Sequence, residues 1–202
     1  MIRRCLSAAC LALLCLPSLA AAPVEKIQAL LAKPDVLCGR FEQTKHLAGL
    51  KKPLLSSGRF CVVPRKGVLW RTLQPFPNTL RMTRDEIVQT EGERVAMRLD
   101  ARQEPAVRMI NSVLFSLLAG DMMQLETLFD IDGAVRGNSW QVVLKPRDTM
   151  LAKAIAGVSM EGDAYLRNMT ISEPGGDRSS IRFVGLVSGV EALTAEEGRL
   201  LE

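Results

Sequence analysis

Apolar residues along this chain switch from helical spacing to alternation, then back to helical spacing, and finally to alternation again. Over residues 23–33, Ile27, Leu30 and Leu31 share one side and Pro34 ends the run, which predicts a first helix. Residues 37–45, 56–63, 67–72, 78–83, 86–90 and 94–100 then read as strands of period two. Short turns holding Pro, Gly, Asn or Asp separate most of them, so an antiparallel meander is expected rather than strands joined by crossover helices. Parity assigns the faces. Phe41, Phe60, Val62, Val68, Trp70, Leu80, Met82, Val95, Met97 and Leu99 fall on the apolar side, and Arg40, Arg59, Arg71, Arg81 and Arg98 fall opposite.

Residues 104–118 break the alternation. Val107, Ile110, Val113, Leu114, Leu117 and Leu118 repeat at helical spacing, and Gly120 follows as a stop. A shorter helix is expected from Asp121, whose side chain can cap the free amides ahead of Met122, Met123 and Leu125. Strands resume at 129–135, 139–145, 158–161, 165–172 and 179–187, with a short helical piece near 149–156. The fold class is mainly β with α: a long curved antiparallel sheet with helices laid over its apolar face.

The amino terminus sets the compartment. Arg3 and Arg4 precede an uncharged apolar run to Leu19, and Ser18-Leu19-Ala20 places small residues where signal peptidase reads them. Residues 1–20 therefore read as a secretory signal peptide, and residues 21–202 as a single domain. The run is shorter than the ~20 residues of a spanning helix. Cleavage after Ala20 is favoured over Ala22, which would put Pro23 first. Neither Cys10 nor Cys15 lies in a lipoprotein-type cleavage pattern. Losing Arg3 and Arg4 and no acid lowers the net charge from +4 to +2, too little to argue for nucleic acid.

Five cysteines become two when Cys5, Cys10 and Cys15 leave with the leader. Cys38 and Cys61 then remain in an oxidising compartment, each on the charged side of its strand. If they face each other across a hairpin, the turn centres on Ala48-Gly49-Leu50, and residues 46–53 do read as a loop. A disulfide closing a loop of this size stabilises by roughly 3 kcal/mol. Without C-x-x-C spacing, a redox-active pair is the weaker reading.

Catalytic chemistry is hard to find. His46 is the only histidine and falls in the proposed turn, with no G-x-S-x-G elbow elsewhere. One histidine cannot complete a usual zinc set. Asp130 and Asp132 are close together, but residues 131–134 read as a turn and nothing supplies a calcium loop's other ligands. No enzyme, cofactor or metal is expected. Eight of the nine methionines remain after the leader, suited either to core filling or to variable apolar ligands.

Several segments together resemble a known family. Phe41-Glu42-Gln43, then Gly58-Arg59-Phe60, Pro64 and a strand ending in Leu69-Trp70 resemble the opening of the periplasmic outer-membrane lipoprotein carriers of the LolA type. Further on, Trp140 to Pro146 with Leu144-Lys145-Pro146-Arg147 resembles that family's strand ending in Leu-x-Pro-Lys. Asp177-Arg178-Ser179-Ser180 before Ile181-Arg182-Phe183 resembles a late strand. The resemblance implies an unclosed half-barrel whose concave apolar face receives acyl chains beneath a helical lid. In the family an arginine before a proline helps hold the lid; here the order is Pro64-Arg65, which carries that contact onto Arg65. The family's Ser-Asp-Gly hairpin stands as Arg84-Asp85-Glu86, as in a divergent member.

On this reading the lipid-binding residues are Phe41, Phe60, Val62, Trp70, Leu80, Met82, Met97, Leu99, Ile110, Leu114, Leu117, Trp140, Val142 and Phe183. The implied function is a monomeric periplasmic carrier that takes acyl chains of lipoproteins or related lipids from an inner-membrane donor complex to an outer-membrane acceptor. The alternative is a sensor or scaffold of the same fold that binds lipid or peptide.

Overall fold

A computed structural model of the chain describes residues 23–64, 66–103 and 105–201. The leader and Arg65 fall outside the described residues, as do the side chains of Ile110 and Leu114. Helix α1 (Pro23–Leu30) leads into six strands: β1 (Leu37–His46), β2 (Leu54–Val63), β3 (Gly67–Gln74), β4 (Asn78–Met82), β5 (Glu86–Glu91) and β6 (Arg94–Asp100). Helices α2 (Pro105–Ala119) and α3 (Met122–Leu128) follow, then β7 (Phe129–Arg136) and β8 (Ser139–Pro146). The chain continues through α4 (Thr149–Ala154), β9 (Gly157–Gly162), β10 (Leu166–Ser172), β11 (Arg178–Ser188), a 3₁₀ turn (Val190–Ala192) and α5 (Ala195–Leu200).

All eleven strands form one antiparallel sheet in the order β6-β5-β4-β3-β2-β1-β11-β10-β9-β8-β7. The first strand is central because β11 returns to pair with it, Phe41 opposite Phe183. The edges β6 and β7 do not pair with each other. The segment joining them carries α2 and α3, so the helices that follow the first meander must cross from one edge of the unclosed barrel to the other.

Local chemistry explains the helix ends. Pro105 opens α2 at the position where its missing amide costs nothing, and Gly120, at φ 67°, ends it. Asp121 caps α3 by accepting from the Gln124 amide at 3.1 Å. The Met122 amide donates to Gln28 Oε1 at 2.9 Å and ties α3 to α1. Helix α1 stops short of Pro34 because the Ala32 amide leaves the helical ladder for the Ala164 carbonyl, 2.9 Å away.

The register follows the parity of the sequence. Phe60 lies opposite Trp70, Trp70 opposite Leu80, and Val68 opposite Met82, all on the concave face. Phe41 stacks on Trp70 with centroids 3.8 Å apart, and Phe183 meets Phe60 edge-on at 5.1 Å. On the convex face Cys38 lies opposite Cys61 and is bonded to it.

The structure corrects the sequence reading at several points. Val95 is half exposed, because a bulge between Gln89 and Thr90 shifts the pairing beside it. Residues 131–134 are not a turn but part of β7, where Gly133 lets β8 approach: a Cβ there would stand 2.6 Å from the Gln141 carbonyl oxygen. His46 is the last residue of β1 rather than a turn residue. The convex face is not uniformly wet, since Leu69 and Val88 are buried there with the disulfide.

Helix α5 has no counterpart in the sequence reading. Thr194 caps it by accepting from the Glu197 amide, and Glu197 in return accepts from the Thr194 amide at 2.9 Å. Arg40, Arg59 and Arg71 stand directly across from one another on neighbouring strands, an arrangement of like charges that repels. Glu197 answers it, accepting from Arg59 Nε at 2.6 Å, and Glu196 lies 3.3 Å from Arg71 Nη2. Glu197 is 1% exposed. Burial alone raises its carboxyl, but the Arg59 hydrogen bond and the Thr194 amide outweigh burial and hold it below the usual glutamate value.

Candidate functional site: a cleft under the helices

Between the concave face and the helices lies a cleft of about 760 Å³, within the range of small-molecule and cofactor sites. Phe60, Val62 and Phe183 form its floor on the central strands. The segment after α1 contributes Leu31 and Pro34, the β9–β10 turn contributes Tyr165, and the first residues of β1 and β10 contribute Leu37 and Leu166. The roof is α2, from which Arg108, Asn111, Ser112, Phe115, Ser116, Leu118 and Ala119 line the space at helical spacing. Val113 and Leu117, fully buried, anchor the helix in the core instead.

The lining is polar on the α1 and α3 side, at Gln28, Lys33, Asp35, Asp121 and Gln124, and again at one corner. Thr83 and Arg84, at the β4–β5 turn, meet Arg108 and Asn111 of α2. Asn111 Nδ2 donates to the Thr83 carbonyl. Arg108 donates from Nε to the Ala101 carbonyl at 3.0 Å and from Nη2 to the Arg102 carbonyl at 3.1 Å. These bonds fix the first half of α2 against the β6 end of the sheet.

The residues named from the sequence divide into groups. Phe60, Val62 and Phe183 line the cleft. Phe41, Met82, Leu117, Trp140 and Val142 share the concave side but are packed into the core away from the cleft wall. Trp140 also spends its indole donor on the Asp163 carbonyl at 2.6 Å. Trp70, Leu80, Met97 and Leu99 are partly buried against that core, outside the cleft lining. The sequence reading missed the polar corner and Phe115. The available signal was an arginine and an asparagine within a largely apolar helix, three residues apart and so on one face.

No histidine or cysteine is among the described residues lining the cleft. Cys38, Cys61 and Glu197 offer ligand atoms within 4.8 Å of one another on the convex side. Both sulfurs are committed to the disulfide and the carboxylate to Arg59, so the group is a structural fastening. The disulfide itself fits an oxidising compartment.

A sequence model of the outer membrane lipoprotein carrier protein LolA-like family matches residues 17–197. The chain belongs to the LolA-like family. Comparison with curated proteins gives no match. Among solved structures, the LolA-like chain is similar to a LolA superfamily protein from Nitrosomonas europaea at 8% identity and TM-score 0.43, covering 82% of this chain and 91% of that one. It is also similar to a putative outer membrane lipoprotein-sorting protein domain from Vibrio parahaemolyticus, at 10% identity and TM-score 0.48, covering 88% and 96%. A third similarity is to the MucA/MucB complex of Pseudomonas aeruginosa, at 14% identity and TM-score 0.49, covering 87% of this chain and 62% of that chain, less than two thirds of its length.

Proposed function

We propose that this LolA-like chain is exported to the periplasm by a signal peptide at residues 1–20, and that residues 21–202 work there as one lipid-carrier domain. Its cleft holds the acyl chains of lipoproteins or related lipids and delivers them from an inner-membrane donor complex to an outer-membrane acceptor. The observation that carries this reading is the cleft itself: an apolar floor at Phe60, Val62 and Phe183, roofed by α2 in the segment that joins the two unpaired sheet edges.

The energetics favour a carrier with a partial enclosure. Burying a sixteen-carbon chain completely, at ~0.8 kcal/mol per methylene, is worth about 12 kcal/mol and approaches permanent binding. Free energy spent on separating α2 from its own apolar contacts offsets part of that gain, so the chain can also be released. The test is direct. Protein loaded with a fluorescent fatty acid is mixed with acceptor vesicles of phosphatidylethanolamine and phosphatidylglycerol, and the label is followed. A carrier moves the label from protein to vesicle, and faster than free exchange from donor vesicles alone. Failure to bind the label, or transfer no faster than that exchange, counts against the proposal.

A further inference from the structure

The cleft occupies one end of the sheet and leaves the other unexplained. Its wall draws on the start of β1, the end of β2 and the β4–β5 and β9–β10 turns, which lie together at one end. The opposite end carries the β1–β2 and β3–β4 turns. There Leu50, Leu54, Leu55 and Leu73 are each more than half exposed, and Phe76 is 80% exposed. The strand register puts them side by side: Ser57 pairs with Gln74, so Leu55 and Phe76, each two residues beyond that pair, reach the same level on neighbouring segments. Single exposed apolar residues are ordinary, whereas a cluster on one rim marks a contact surface.

The chemistry of the rim selects a bilayer over a protein. Leu54 and Leu55 are consecutive strand residues and project from opposite faces of the sheet. A protein laid on one face covers one of them, whereas lipid surrounds both. The tips have also shed backbone groups that lipid would leave unpaired. Pro53, Pro75 and Pro77 have no amide hydrogen, the Leu50 amide donates to the Leu47 carbonyl at 3.0 Å, and Asn78 Nδ2 donates to the Phe76 carbonyl at 3.1 Å.

The charges fix the sign of the surface. Lys51 and Lys52 stand between Leu50 and Leu54, exposed and in no ion pair among the described residues. In the β10–β11 turn at the same end the acids are engaged, Glu173 by Lys45 at 3.3 Å and Asp177 by the Ala48 amide at 2.7 Å. In the β5–β6 turn Glu91 is held by Arg94, which leaves Glu93. Lysines set among leucines suit an interface where apolar side chains enter and ammonium groups meet anionic lipid.

We propose that the β1–β2 and β3–β4 turns form a membrane-docking rim, which inserts Leu50, Leu54, Leu55 and Phe76 at the surface of an anionic bilayer while Lys51 and Lys52 meet its negative charge. The rim lies away from the cleft, so docking leaves the cleft uncovered. It tethers the protein, whatever ligand the cleft holds.

The test is co-sedimentation of the protein, purified from the periplasm, with vesicles of phosphatidylethanolamine and phosphatidylglycerol, and with vesicles of phosphatidylcholine alone. Binding to the anionic vesicles is expected to be at least about fivefold tighter and to weaken as salt rises. Lys51→Glu combined with Lys52→Glu should lose at least about tenfold on anionic vesicles, and Phe76→Ser combined with Leu55→Ser should lose as much. Both variants should keep fatty-acid binding within about twofold of the unsubstituted protein. In Phe76→Trp, brominated phosphatidylglycerol should quench the added indole, a reading that does not depend on the other variants folding. No binding to anionic vesicles overturns the proposal, whether or not the carrier reading stands. Binding that the substitutions leave unchanged, with an unquenched indole, assigns the membrane contact to another surface and overturns it too. Dimers that dissociate in Phe76→Ser, without vesicle binding, make the rim an interface between copies and overturn the lipid role.

Discussion

On the convex face of the sheet, β1 and β2 are joined covalently through Cys38 and Cys61, and α5 is held by a buried ion pair, a capping box and an Arg59 bond to the Ala192 carbonyl at 2.6 Å. On the concave face, α2 rests on the core through Val113, Leu117 and Leu118, with directed bonds concentrated at Arg108 and Asn111. Apolar contact has no preferred direction, and a methylene of a ligand replaces a methylene of a leucine at little cost. Ion pairs and disulfides have no such substitutes. One face can therefore hold the strand register while the other is refilled.

The largest expected effect is on the convex face. Glu197→Ala leaves Arg59 without its carboxylate in a partly buried place and removes half of the capping box. A loss of about 3 kcal/mol is expected, at the low end for a broken buried pair because Arg59 remains one-third exposed. Urea unfolding measures it. Fatty-acid binding per folded molecule should not change; if it falls as well, the two faces are coupled and the comparison fails.

Phe115→Glu is the mirror experiment. Phe115 lines the cleft and is only partly buried, so the new carboxylate can stay hydrated and stability should change by no more than about 1 kcal/mol. Binding of a fluorescent fatty acid should fall by at least tenfold. Met97→Glu is the control, since Met97 is also partly buried on the concave face but outside the cleft lining. It should keep most of the binding, and equal losses in the two variants would place the acyl site along the whole early half of the sheet.

The smallest effect is on pH dependence. The folded-state pKa of Glu197 is lowered, so its contribution is fully present above its unfolded value near 4.5 and is lost as pH falls through the folded value. Denaturant midpoints should decline below about pH 4.5, and the decline should be shallower in Glu197→Gln. The same slope in both proteins would assign the acid sensitivity to other carboxylates.

Much of this architecture was legible in local periodicity. Alternation at Phe60, Val62, Val68 and Trp70 placed four side chains on one face, and the pairing Phe60–Trp70 and Val62–Val68 follows from it once the turn is short. Helix α2 was visible because apolar spacing and a glycine stop coincide there. Helix α5 was missed although Thr194 and Glu197 form a capping-box spacing, because six residues carry too little period to be read. Gly133 was misread because a glycine directly after an aspartate signals a turn in the chain, whereas here the absent side chain makes room for Val142.

The sequence by itself determined which residues share a face, that Cys38 and Cys61 lie across a hairpin, and that a helix interrupts the strands, since each of these depends on spacing along the backbone. Only the tertiary structure decided that Trp140 and Val142 belong to a packed core while Phe60 and Phe183, on the same face, border a cleft. It also decided that Asn111 and Arg108 meet Thr83 and Arg84, residues about two dozen positions earlier, and that Glu197 reaches Arg59 across most of the chain. Parity says which way a side chain points. What it meets there depends on where the crossing helices come to rest, and that is set by contacts between segments distant in the chain.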